Sequence, residues 1–176
     1  MSTRLPPVDI YRAPFIEPMG HLAMQAAYAE QAIIELCALA MEMAPASQQE
    51  RHLAEARRMK VTAELRNWSE KFALACLSHL PDEEMREASE GLARQYTQLS
   101  KQRHRAIHDA IHVGIDDDNR VLALRLQYEK LTPGSSVARL HETSAEDVAT
   151  VAFALYDLQQ DIGVKVYQLA SLLGSV

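Results

Sequence analysis

The placement of proline constrains this chain more than any other feature. Proline fixes φ and removes a backbone N–H donor, so a helix stops or kinks where it occurs. Four prolines crowd residues 1–19 (Pro6, Pro7, Pro14, Pro18), and beyond them stand only Pro45, Pro81 and Pro133. The intervals between these stops are long enough for several helical turns each. Composition agrees: apolar residues make up 48% of the 176 residues, while aromatics reach 6% and glycine only six positions. Such a balance favours a helical globular domain over a β-sandwich or a disordered chain, and the length can bury a core without disulfides or metal.

Residues 1–19 read as a proline-rich arm, with Ile10, Tyr11, Phe15 and Ile16 available to pack on the body or on a second subunit. Residues 20–176 read as one domain. A first helix is expected from about Gly20 to Ala44, stopped by Pro45 and apolar on most of its circumference, as in a helix buried on more than one side. A second is expected from about Gln48 to Leu80, with Val61, Leu65, Trp68, Phe72, Ala75 and Cys76 on one face. A third should run from about Asp82 to Val113, with Leu92, Tyr96, Leu99, Ile107, Ala110 and Ile111 on its apolar side and Gly114 as its stop.

The period then changes. Leu122, Leu124, Leu126 and Tyr128 alternate with Ala123, Arg125 and Gln127, a strand pattern. Leu131-Thr132-Pro133-Gly134-Ser135 is turn chemistry, and Val137 to His141 supply a returning strand. Thr143-Ser144-Ala145-Glu146 has the spacing of a capping box. It opens a fourth helix with a seam of Val148, Val151, Leu155, Leu158, Ile162, Val166, Leu169 and Leu173. The expected fold is therefore an all-α antiparallel four-helix bundle with a β-hairpin inserted between helices three and four.

Charge limits the functions open to it. The formal net charge of −6 excludes a general nucleic-acid-binding surface, so contact with RNA or DNA would have to be local. Cys37 and Cys76 fall inside apolar helical patterns and read as buried thiols of a reducing compartment. The first fifteen residues lack the continuous apolar core of a signal peptide, and no apolar run reaches transmembrane length, so a cytoplasmic protein without membrane contact is expected. No P-loop, dinucleotide glycine pattern or nucleophile elbow is present, and no cofactor is implied.

One stretch carries chemistry. Arg103-His104-Arg105-Ala106-Ile107-His108-Asp109, followed by His112, places two arginines and three histidines in one helical run of an acidic chain. Arginine offers a fixed fork for phosphate, and histidine exchanges protons near neutral pH. Leu99, Arg103, Ile107 and Ala110 lie within about 40° of one direction, which turns Arg103 toward the bundle. A guanidinium there needs a carboxylate, a carbonyl or a ligand. His104, His108 and His112 would form a second row along the same helix; a solvated polar face is the simpler account of it than a metal site.

Arg103-His104-x-x-x-His108 resembles the Arg-(Asn/His)-x-x-x-His motif of the HEPN superfamily (higher eukaryotes and prokaryotes nucleotide-binding). The motif's place near the end of a third helix, with a final helix after it, is similar as well. The resemblance implies metal-independent RNA cleavage at a cleft of a homodimer, in which Arg103 binds the scissile phosphate and His108 acts as general acid or base. His104 stands where the family most often has Asn, an orienting position, with Arg105, Asp109 and His112 as supporting neighbours. It equally allows a non-catalytic module that binds a nucleotide, a second subunit or an antitoxin-type protein, as in toxin–antitoxin pairs. A remaining alternative is an HD-type metal phosphohydrolase built on His108-Asp109, with His79 and Asp147 or Asp157 as further ligands.

Overall fold

The structure, a computed structural model, describes residues 10–43, 60–65, 67–108, 111–115, 121–132 and 135–174. The chain is mostly helical, with one small antiparallel sheet. Its elements are α1 (Ala13–Glu42), α2 (Glu70–Leu77), α3 (Glu83–His108), β1 (Ile111–Ile115), β2 (Val121–Thr132), β3 (Ser135–Glu142) and α4 (Ala145–Gly174). Residues 60–64 form a further helical turn and a half before α2.

α1 begins seven residues before the expected start at Gly20. Pro14 lies in its first turn, where no N–H is needed and the fixed φ suits a helix. Pro18 sits inside the helix and removes a single hydrogen bond. The arm expected through residue 19 is thus helical from Ala13. Phe15 is buried in the core, while Ile10, Tyr11 and Ile16 are exposed. Farther along, Ile33, Ile34 and every residue from Leu36 to Ala40 are buried, so the second half of α1 is enclosed on all sides.

The second helix is interrupted rather than continuous. Helical backbone at 60–64 gives way to turn and extended residues, and Ser69 starts α2 by accepting a hydrogen bond from the Phe72 backbone N–H at 3.4 Å. Serine offers the chain a local partner that competes with continuing the helix. Residues 48–59 of that expected helix lie outside the described residues. Trp68, in the break, donates from Nε1 to Thr97 Oγ1 on α3 at 3.0 Å. Its ring meets Tyr96 edge-on, with centroids 4.6 Å apart and planes at 75°. The sole tryptophan thus fastens this segment to α3 and packs against the core.

Asp82 caps α3, its Oδ1 accepting from the Met85 N–H at 2.7 Å. α3 stops at His108, not at Val113 as the helical period suggested. Ile111, Val113 and Ile115 alternate with His112 and Gly114, and β-branched residues in alternation fit a pleated strand better than a helix. They become β1, so the expected hairpin is a three-stranded sheet in the order β1-β2-β3. β2 pairs with β1 through Val121–Arg125 and with β3 through Leu124–Thr132.

α4 is capped one residue later than the sequence pattern indicated. Ser144 Oγ accepts from the Asp147 N–H at 3.0 Å, and Asp147 Oδ2 accepts from the Ser144 N–H at 2.7 Å. Thr143 turns inward instead and is buried. Its N–H donates to the Ala123 carbonyl at 2.8 Å and its Oγ1 accepts from Arg125 Nη2 at 3.1 Å. It therefore ties the start of α4 to the sheet. From the cap onward, Val148, Leu155, Leu158, Ile162 and Leu169 are buried against α1 and α3, with Val151, Val166 and Leu173 packed beside them.

Replacing Ser144 with Ala should destabilise the protein by about 1 kcal/mol, the usual worth of a side-chain N-cap. Urea unfolding followed by circular dichroism reads this directly, and an unchanged midpoint would refute the assignment of the cap to Ser144.

Candidate functional site

α3 delivers the motif to the place where the helices meet the sheet. Arg103 is half-buried on the flank of the stripe made by Ala93, Tyr96, Leu99 and Ala106. Its Nε is sealed from solvent and donates to no acceptor. A buried donor without a partner costs on the order of 1–3 kcal/mol, so such groups are few in folded proteins and call for a reason.

About two turns earlier, the Tyr96 hydroxyl reports the local field. Burial pushes its pKa up to about 12, Glu30 across on α1 adds to that rise, and Ser100 and the Arg103 guanidinium pull it back. Arg103 therefore sits close enough to the α1–α3 contact to be felt there, while keeping part of its surface in water.

The other motif residues separate. His104 and Arg105 are exposed on α3. His108 is the last residue of the helix, five positions from Arg103, so the two leave a regular helix about 140° apart. The side chain of His108 and all of Asp109 lie outside the described residues. His112 is not on the helix at all: it is exposed on β1, opposite Leu124. The row of three histidines expected along one helix face is thus divided between two elements.

Strand register brings in groups that the linear motif did not contain. Ile111 lies opposite Arg125, and Arg125 opposite His141, so these three share one face of the sheet. Neighbouring strands are spaced by about 4.8 Å, which places the arginine and the imidazole in adjacent positions of one cross-strand row. This row is the root of the sheet, three residues along the chain from the end of α3. Arg139 stands on the same face, opposite Gln127. Next to the root, Ile111 lines an open apolar depression of about 230 Å³ with Arg12, Phe15, Ile16 and Met19 from the start of α1.

Arg125 and His141 therefore lie together at the sheet root, with Arg12 on the adjoining depression, in a chain of net charge −6. Arg12, Arg125 and His141 were not singled out by sequence spacing, because only the strand register and the early start of α1 bring them there. Chemically, such a surface can hold an anion and exchange protons with it.

Among the described residues no group of three His, Cys, Asp or Glu side chains is placed to hold a metal ion. Of the ligands an HD-type site would need, His79 is exposed in the turn after α2 and Asp147 is engaged in the α4 cap. Among the described residues, no helix is long and apolar enough to cross a membrane. No family model, curated protein or solved structure matches the chain.

The Tyr96 environment yields a signed pH dependence. An unfolded tyrosine titrates near 10, and in the fold the value rises to about 12. The native state thus holds the proton more tightly, and this contribution is intact below about pH 10. It is lost as pH climbs toward 12, with a slope of at most about 1.4 kcal/mol per pH unit. Urea midpoints measured between pH 8 and 11 should fall over the upper part of that range, and Tyr96→Phe should flatten the decline.

Proposed function

We propose that this protein is a HEPN-like RNA-binding domain that acts as a homodimer and cleaves RNA without a metal ion. In this reading the helices form an antiparallel four-helix bundle, the interrupted segment through 60–80 supplying one of its rods. The observation that carries the reading is Arg103: a guanidinium at the end of α3 whose buried Nε has no acceptor, leading into a sheet root that bears Arg125 and His141. An arginine clamped on every side by carboxylates would have argued for a purely structural role.

In the reaction the ribose 2′-oxygen attacks the adjacent phosphorus and the bond to the 5′-oxygen breaks. The 2′-hydroxyl loses its proton to a base, the leaving 5′-oxygen gains one from an acid, and a 2′,3′-cyclic phosphate remains. Arg103 is assigned to the phosphoryl oxygens, where its fixed charge stabilises the additional negative charge of the transition state. His108 is assigned to proton transfer. The divergence of these two positions on one helix is resolved in this reading by a composite cleft, with His108 serving the Arg103 of the other subunit. His104, Arg105, Asp109 and His112 flank the pair, and Arg125 with His141 adds anion-binding capacity at the root.

A second reading is favoured by a different observation. Phe153, Tyr156, Val164 and Tyr167 are all exposed on α4, which suits a module whose task is association with a second subunit or an antitoxin-type partner.

The test is cleavage of end-labelled single-stranded RNA by the full chain in the presence of EDTA. Arg103→Ala should reduce the rate at least about 100-fold, and His108→Ala by about 100- to 10,000-fold, with unchanged circular dichroism. A wild-type protein that neither binds nor cuts RNA would overturn the proposal and leave the association module.

A further inference from the structure

The outer face of α4 is built unlike any other exposed surface among the described residues. At 100° per residue, Phe153, Tyr156, Gln160, Val164 and Tyr167 fall within about 80° of one another, on the side opposite the buried seam of Leu155, Leu158, Ile162 and Leu169. Four of the five are large apolar residues, and they are exposed by 69%, 45%, 56% and 75% for Phe153, Tyr156, Val164 and Tyr167. Scattered exposed apolar residues are ordinary, but a continuous row on one helix is not.

The spacing of the row admits a second copy as its occupant. Phe153 and Tyr167 lie seven residues to either side of Gln160, and Tyr156 and Val164 lie four to either side. Reversing the helix about Gln160 therefore lays Phe153 on Tyr167, Tyr156 on Val164 and Gln160 on itself. A two-fold interface requires this self-complementarity, since the same patch must serve both subunits with position i meeting j and j meeting i.

Area and rim agree with a second copy. The four apolar side chains leave on the order of 500 Å² in water per protomer, against about 800 Å² per partner in a standard interface. Ala149, Gln160 and Gly163 lie on or beside the row and supply further contact without charge. A Cβ built on Gly163 meets nothing within 4 Å, so this mid-helix glycine answers no packing need inside the protomer. It leaves a notch beside Tyr156 and Tyr167 that a partner's side chain can enter. Asp157 and Asp161 stand to one side of the row, where a polar rim belongs.

We infer that two copies of this chain dimerise through the outer faces of α4, antiparallel, with the two-fold axis passing at Gln160. This interface is separate from the composite cleft of the proposed function, because an antiparallel pair about Gln160 sets the two α4 starts at opposite ends, and it depends on none of that chemistry. The apolar circumference of the second half of α1, by contrast, is taken up by the protomer's own core.

The test uses the full chain in sedimentation equilibrium across concentration, with three variants. Wild type should run at twice the chain mass. Phe153→Glu and Tyr167→Glu change exposed side chains, so each should keep the circular dichroism of wild type while weakening the dimer by at least about 30-fold. Gln160→Cys should form an intermolecular disulfide under mild oxidation, because the two-fold axis brings that position onto its own copy. Cys37 and Cys76 are buried and do not compete. A monomeric wild type overturns the inference, as does a dimer that survives both glutamate variants or one in which Gln160→Cys stays uncrosslinked. RNA cleavage is measured separately, so a dimer without cleavage retains this interface and rejects only the ribonuclease, while cleavage by a monomer rejects this interface and the composite cleft but not the ribonuclease activity.

Discussion

The enclosure of α1 by the helices around it is the constraint on which the rest of the structure depends. From Ile33 to Ala40 almost every side chain is buried, which requires neighbours on all sides of the helix. α4 provides the most extensive of these contacts, along Leu155, Leu158, Ile162 and Leu169, and α2 and α3 cover the remainder. Burying a Leu or Ile contributes about 1.5–3 kcal/mol relative to exposure, so this contact dominates the favourable side of folding. It also accounts for the inertness of the thiols. Burial raises the Cys37 thiol far above its ordinary range, with Cys76 adding to the rise, and burial alone pushes Cys76 up to about 11. Both are core residues rather than reactive ones.

Much of this was legible in the chain, and the parts that were not have physical causes. Long-range periodicity identified the α4 seam residue by residue, because a helix packed on one side must repeat its apolar positions. The all-round apolarity of α1 likewise announced burial on several sides. Boundaries were harder. Ser69 and Trp68 interrupt a segment whose apolar period runs on unbroken, because a serine cap and a tryptophan anchored to Thr97 outweigh propensity. At the end of α3, Ile107 and Ile111 satisfy a helical period, while Ile111, Val113 and Ile115 satisfy a strand period. Pairing with Val121–Arg125 decides between them, and no local rule could. At Thr143-Ser144 two overlapping capping patterns compete, and the one that leaves Thr143 free to bond Ala123 and Arg125 prevails.

The candidate site was legible only in its linear part. Arg103 was expected on the bundle side of its helix and is half-buried there, with one donor sealed off. Arg125 and His141 were invisible as partners because they are sixteen residues apart and meet only through β2–β3 register. Arg12 joins the neighbourhood because proline at the first turn lets α1 begin early. The general reason is that spacing along a sequence captures what one helix face or one strand can hold. Sites assembled where several elements end depend on register and on where each element stops.

Charge distribution then bears on how such a surface would work. The chain carries 24 acidic against 18 basic side chains, so a polyanion meets repulsion over most of the molecule. Only a short stretch of phosphates would meet Arg125 and His141 at the sheet root. Electrostatic attraction of this kind scales with the number of phosphates neutralised, and a handful gives weak binding with a shallow salt dependence. A two-fold assembly changes that arithmetic, since one strand touching both copies of the root gains an effective local concentration without any new contact. Dimerisation through α4 would therefore matter for affinity even if each protomer's site were complete in itself.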